Sequence, residues 1–249
     1  MVKNGELVRY HCADGIARLT LNDATHHNAL SAAMVAQIEQ CCATAGRDPE
    51  VRVLLLLAEG EHFSSGAPLA LLQSLAEGKE VPTDIRLARA LIDFPLPCVA
   101  ALEGHAIGGG LALGLAADVI VIARESRYGL TFMEHGITPG MGATGLLEHV
   151  LSPALAHELL YTGELRRGGD FAGSGINHIL PRAQVRAKAE DLARRIAEKP
   201  RLALTLLKRT LSLPRRQRFE STYTLETLMH EVTFNSPDAR HRIGDPRVE

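Results

Sequence analysis

Three short runs with almost no polar residue constrain the fold most: Val51–Leu57, Pro97–Leu102 and Val119–Ile122. A strand with one face in water alternates polar and apolar residues. A run apolar at nearly every position fits a strand covered on both faces, as in a parallel sheet flanked by helices. Each of the first two runs leads through a glycine turn into helix-like sequence. The turns are Phe63-Ser64-Ser65-Gly66-Ala67 and Gly104-His105-Ala106-Ile107-Gly108-Gly109-Gly110. Strands alternating with helices predict an α/β fold with largely parallel pairing. Upstream, Ile16–Leu21 alternates as a half-buried strand does, Asn22-Asp23 ends it, and Ser31 is placed to cap a helix running to Ala45.

From Arg182 the texture becomes helical. Arg182–Lys199, Arg201–Leu213 and Arg215–Asn235 form three segments punctuated by Pro200 and Pro214, and no strand-like run follows. The expectation is a core over residues 1–181 and a helical region over 182–249 that covers a site or joins subunits. The chain has 249 residues and a net charge of −2, which gives no electrostatic case for a nucleic-acid or membrane-surface partner. The cluster Arg215-Arg216 reads as a solvated helix face or a small docking patch for an acidic carrier. The four cysteines (Cys12, Cys41, Cys42, Cys98) have neither redox-pair nor zinc spacing, so reduced packed thiols and no metal are expected. The opening residues lack a signal-peptide core, and no stretch reaches the roughly 18 apolar residues of a membrane span, so the expected location is cytoplasmic.

The glycine turns bear on chemistry. Glycine removes the side chain so that a ligand can approach the backbone. A helix start offers free N–H groups and the positive end of the helix dipole. Neither turn has the spacing of a nucleotide-binding loop. Tight strand–helix packing would explain Gly108-Gly109-Gly110 alone. Paired with the Ser65-Gly66-Ala67 turn, it suggests two N–H groups aimed at one oxygen that becomes an oxyanion.

With these turns, the segments His27-Asn28-Ala29-Leu30, Ala117-Asp118 and Gly136-Ile137-Thr138-Pro139-Gly140 resemble the enoyl-CoA hydratase/isomerase (crotonase) superfamily in order and spacing. The resemblance implies a spiral of ββα repeats and trimers or dimers of trimers. It also implies a thioester substrate on a pantetheine arm, of an acyl carrier protein or coenzyme A, with no further cofactor. It places the oxyanion donors at the N–H groups of Ala67 and Gly109. Asn28, Ser65, Gly66, Gly108, Phe132 and Gly140 would border the substrate.

The family's hydratases carry two glutamates that handle water. At the matching positions this chain has Ala112 and Phe132, neither of which can move a proton. Glu134, two positions on, reads as a displaced acid or as a solvent-facing or turn-capping residue. Decarboxylation suits a hole without a base: electrons left by CO2 flow to the thioester oxygen. The segments Gly104–Gly114, Phe132-Met133, Gly136–Thr144 and Met229–Asn235 resemble the decarboxylating homologues of polyketide β-branching cassettes. Those act on a 3-methylglutaconyl group held by an acyl carrier protein. His230 lies in a helical stripe with Tyr223, Thr227 and Phe234 and reads structurally as a core or interface histidine with a hydrogen-bond partner; the resemblance puts a catalytic histidine there. Some relatives carry Tyr and Lys where this chain has Leu71 and Leu75. Lys79 is then the candidate cation for the substrate carboxylate or a solvated loop lysine. His62 is a candidate to face the pocket, and His105 to tie down the second turn.

Three readings follow. The first is decarboxylation of a 3-methylglutaconyl-type thioester to a 3-methylcrotonyl-type one. The second is an isomerase or hydratase working through Glu134 or His230. The third is a non-catalytic subunit that binds a carrier protein.

Overall fold

The computed structural model describes residues 6–80 and 87–245. The first five of the residues read for a leader and the last four of the region 182–249 lie outside the described residues. Ten strands among the described residues form two sheets. In the larger sheet, β1 (Val8–Ala13) pairs antiparallel with β2 (Ile16–Leu21). Then β3 (Val53–Ala58), β5 (Cys98–Leu102), β7 (Val119–Ala123) and β10 (His178–Leu180) follow, each parallel to its neighbour. In the smaller sheet, β4 (His62–Ser64), β6 (His105–Ile107) and β8 (Arg127–Gly129) are parallel, and β9 (Arg166–Arg167) runs antiparallel to β8.

The chain thus makes the same move three times: a long strand in the large sheet, a short one in the small sheet, then helical structure. β3 and β4 precede α2 (Leu69–Ala76) and α3 (Leu87–Ile92), β5 and β6 precede α4 (Gly109–Leu115), and β7 and β8 precede α5 (Ala143–Val150). This is the expected ββα spiral. α1 (Ala32–Arg47) connects β2 to β3, with Ser31 accepting a hydrogen bond from the Met34 N–H at its start, and α6 (Pro153–Thr162) follows α5.

The apolar runs are continuous because both faces are covered. Leu54 and Leu56 of β3 point into the main core with α1, α3, α4 and α5, whereas Val53, Leu55 and Leu57 pack against Val185, Ala189 and Ala193 of α7 (Arg182–Ala197). α8 (Arg201–Leu211) and α9 (Leu213–Phe234) meet at Ser212, and α10 (Pro237–Arg242) packs back onto α2. Pro214 lies in the first turn of α9, where its missing N–H costs nothing.

Asp118 joins the C-terminal helices to the core. Its carboxylate accepts from the Cys98 N–H (2.8 Å), from Lys208 Nζ of α8 (2.6 Å) and from Arg215 Nη2 of α9 (2.5 Å). Lys208 and Arg215 are both buried. Arg215 is therefore neither a solvated residue nor part of a docking patch, and Arg216 is paired with Asp93 at 2.8 Å. The four cysteines are unpaired, with Cys42 and Cys98 buried. No helix among the described residues is long and apolar enough to cross a membrane.

Candidate active site

The first glycine turn is sewn to an earlier turn through Asn28. This residue is fully buried in the left-handed region, at φ 51°. Its Oδ1 accepts the Asp23 N–H, and its Nδ2 donates to the carbonyls of Glu59 (2.9 Å) and His62 (2.8 Å). Its own carbonyl accepts from Ser64 Oγ, which in turn accepts the Gly66 N–H. The Ser65 N–H donates to the His27 carbonyl, and the Leu30 N–H to that of Gly66. Asn28 was expected to border the substrate. Its side chain is instead consumed by these bonds, so it positions the turn.

The second turn abuts the first. Gly108 has φ 52°, and its N–H donates to the Gly129 carbonyl at 2.9 Å. A methyl group on Gly66 would lie 2.8 Å from the Ile107 oxygen and 3.1 Å from the Gly109 nitrogen, and one on Gly110 would overlap Ser64. Only glycine allows this approach of two backbones. No acceptor among the described residues takes up the N–H of Ala67 or of Gly109. The Gly109 N–H opens α4, where the helix dipole adds positive potential, and Ala67 directly follows Gly66, which lies against Gly109.

Met141 and His230 build the wall beside them. A Cβ on Gly109 would lie 2.7 Å from Met141 Sδ and 3.3 Å from Leu30 Cδ1, so these two side chains cover Gly109. A Cβ on Gly140 would overlap the His230 ring. His230 Nε2 lies 2.6 Å from the Thr138 carbonyl oxygen. A carbonyl only accepts, so Nε2 carries the proton and Nδ1 has the lone pair. Burial pushes the imidazole below its ordinary value, opposed by the Thr138 bond. Phe132 stands with its ring centroid 6.2 Å from that of His230, and Phe234 at 5.4 Å.

Other expected site residues lie elsewhere. His62 packs its ring against His27 (4.3 Å between centroids) and His105 (5.0 Å), and its Nδ1 is buried without a hydrogen-bond partner. Its ring contacts are with this stack and not with the Met141–His230 wall. No group of three His, Cys, Asp or Glu side chains among the described residues is arranged to hold a metal ion. His105 Nδ1 accepts the Arg127 N–H at 2.8 Å, which ties β6 to β8 as expected. Lys79 is not brought to the hole: its side chain is 71% exposed and its ammonium pairs with Glu77 at 2.5 Å. Glu134 lies against Gly163 at the end of α6, a packing role at a turn. Ala112 is buried in the core face of α4. Leu30 and Met141 lie in segments quoted from the sequence but were given no site role there, and Glu226 was not picked out. Glu226 sits four residues before His230, a spacing that puts both on one helix face.

A spiral of ββα repeats that sets two glycine turns and their free N–H groups side by side defines a class of acyl-handling fold. The family is that of enoyl-CoA hydratase/isomerase, whose model matches residues 11–244, and the chain belongs to it. Among its relatives, the bacillaene synthase decarboxylase PksI of Bacillus subtilis is 36% identical, covering 96% of this chain and 95% of that one. A solved structure from a dehydratase/decarboxylase enzyme couple involved in polyketide β-branching superposes with a TM-score of 0.92 at 34% identity, covering 96% and 98% of the two chains. The ECH2 decarboxylase domain of CurF from Lyngbya majuscula gives 0.90 at 33% identity, covering 96% and 99%. A probable enoyl-CoA hydratase of Bacillus subtilis is 30% identical, covering 92% and 90%.

Proposed function

We propose that this protein decarboxylates a 3-methylglutaconyl-type thioester, carried by an acyl carrier protein, to a 3-methylcrotonyl-type thioester. One observation carries the reading. The paired N–H donors of Ala67 and Gly109 are retained while Ala112 and Phe132, both without a titrating group, stand where the hydratases would have glutamates. The relatives named as decarboxylases support it.

In this reading the thioester oxygen accepts from Ala67 and Gly109. The bond between the substrate carboxylate and its neighbouring carbon breaks, CO2 leaves, and the electron pair moves through the conjugated system to the thioester oxygen. The resulting dienolate takes up one proton, which restores the thioester. Removing one oxyanion-hole donor costs about 2.7–4 kcal/mol of barrier in acyl-transfer enzymes where it has been tested. His230 is the proton donor. With Nε2 held by Thr138, the transferable proton rides on Nδ1. The imidazole's lowered value makes its protonated form a strong acid but a scarce one, so proton delivery weakens as pH rises. Gly108 leaves open space for the substrate, Gly66 and Gly140 let the second turn and the His230 ring approach, and Ser65 and Phe132 border the substrate. Homotrimers or dimers of trimers complete the proposal.

The test is incubation with 3-methylglutaconyl carrier protein, following CO2 release. Turnover should occur without added cofactor, and His230→Ala should slow it by about 10²–10⁴-fold, the usual worth of a placed acid. Binding of the carrier with no turnover would instead mark a non-catalytic subunit. Deuterium entry into a crotonyl thioester without CO2 release would mark an isomerase. Lys79 stands outside the hole and could serve the departing carboxylate only by leaving Glu77 and moving inward; the pair itself opposes this little, since exposed pairs are worth about 0–1 kcal/mol. Unchanged kinetics in Lys79→Ala would remove it from the mechanism.

A further inference from the structure

The turn that forms one wall of the site is held by a carboxylate the proposed chemistry does not use. Glu226, in α9, is only 2% exposed. Its Oε2 accepts the Gly142 N–H at 2.6 Å. Its Oε1 accepts the Thr144 N–H at 2.9 Å together with the Thr144 hydroxyl. All of these partners donate, and they lie at the start of α5, where a helix favours negative charge. Burial raises the Glu226 carboxyl and these donors pull it back down.

What the carboxylate holds is an unfavourable backbone. Met141 has φ 62° and Gly142 φ 72°. A left-handed conformation is costly for a side-chain-bearing residue such as methionine, so it persists only where the surroundings impose it. The same turn touches the site on both sides: Met141 covers Gly109, and Gly140 lies against the His230 ring. α9 grips it along a single stripe. A Cβ on Gly142 would overlap Phe219, Glu226 binds the turn's N–H groups, His230 donates to the Thr138 carbonyl, and Thr233 Oγ1 accepts the Thr138 N–H.

We propose that Glu226 is a positioning residue: it fixes the Gly140–Thr144 turn, and so sets His230 and Met141 in place relative to the Gly109 donor. Glutamine at this position keeps the shape but has one acceptor oxygen. Its amide NH2 would face an N–H of Gly142 or Thr144, donor against donor.

The experiment compares the wild type with Glu226→Gln by nitrogen NMR of labelled histidine. The His230 signal is identified by its loss in His230→Asn. The wild type should show the Nε2–H tautomer alone, and Glu226→Gln a mixture of tautomers, as the Thr138 carbonyl moves away. The rate arm rests on the proposed decarboxylation. There, kcat should fall about tenfold with KM little changed, and the loss should vanish in a His230→Ala background, as expected for two residues acting through one element. An unchanged His230 signal in Glu226→Gln would overturn the proposal, as would an equal rate loss with and without His230. If the wild type releases no CO2, the functional reading fails, but the tautomer measurement still decides the role of Glu226. If Glu226→Gln does not fold, Thr144→Val removes only the hydroxyl donor and should give a smaller admixture of the second tautomer. No admixture there would also overturn it.

Discussion

Gly109 and Gly140 stand where a single methyl group would collide with the side chains that wall the proposed site. At Gly109 the obstacles are Met141 Sδ and Leu30 Cδ1, both near the ends of flexible side chains, so the fold can absorb an alanine by shifting them. Gly109→Ala should therefore leave the melting temperature within a few degrees. It should lower the rate of CO2 release tenfold or more, since the methyl group intrudes beside the donor N–H; calorimetry and single-turnover kinetics read the two effects separately. Residues at this scale were legible in the sequence to different degrees. The glycines stood out because nothing else permits such close approach, and His230 because of the residues around it. Asn28 was recognised but assigned the wrong work, since a buried amide satisfied by its own loops reads like one that awaits a ligand. Glu226 left no signal, because a lone glutamate in a mostly polar helix looks solvated until the opposing N–H groups are located.

Among the elements, the long strands were readable and the short ones were not. β3 is apolar throughout because two layers cover it. β4, β6 and β8, three residues each, show no period and owe their form to pairing with one another. The small sheet also carries a titratable joint. His105 Nδ1 accepts the Arg127 N–H, so protonation would set N–H against N–H. Burial first, then neighbouring cations, lowers both His62 and His105, with Arg182 acting on both and Glu61 opposing. His27 stacks on His62. Groups whose folded value is depressed stabilise the protein above their ordinary value, near 6.5, and that stability is lost as pH falls through the lower folded value. Denaturant midpoints should therefore hold between pH 8 and about 7 and drop towards pH 5. His62→Phe, lacking one titrating ring, should show a shallower acid limb.

At the level of the whole molecule, the C-terminal region is more than a cover. α7 forms the second face of the large sheet, while α8 and α9 leave apolar side chains in the open. Leu202 and Val232 are each 73% exposed, and Leu206, Leu225 and Leu228 are over half exposed. Apolar surface of this extent is what an association face presents, and the proposed oligomer would cover it. The protein should sediment as a multiple of its 26.9 kDa chain mass. Leu228→Lys with Val232→Lys should shift it towards the monomer, and unchanged sedimentation would place the subunit contact elsewhere. The sequence suggested that this region covers a site or joins subunits but not which residues stay open, because apolar residues in a helix predict burial without saying whether the chain itself provides the cover. The carboxylate of Asp118, shared between α8, α9 and the first amide of β5, then sets how the molecule opens. Neither helix can peel away without stranding a buried cation, so α8 and the start of α9 should not fray independently. Their amides should exchange with solvent only when the central sheet itself comes apart, as one cooperative unit.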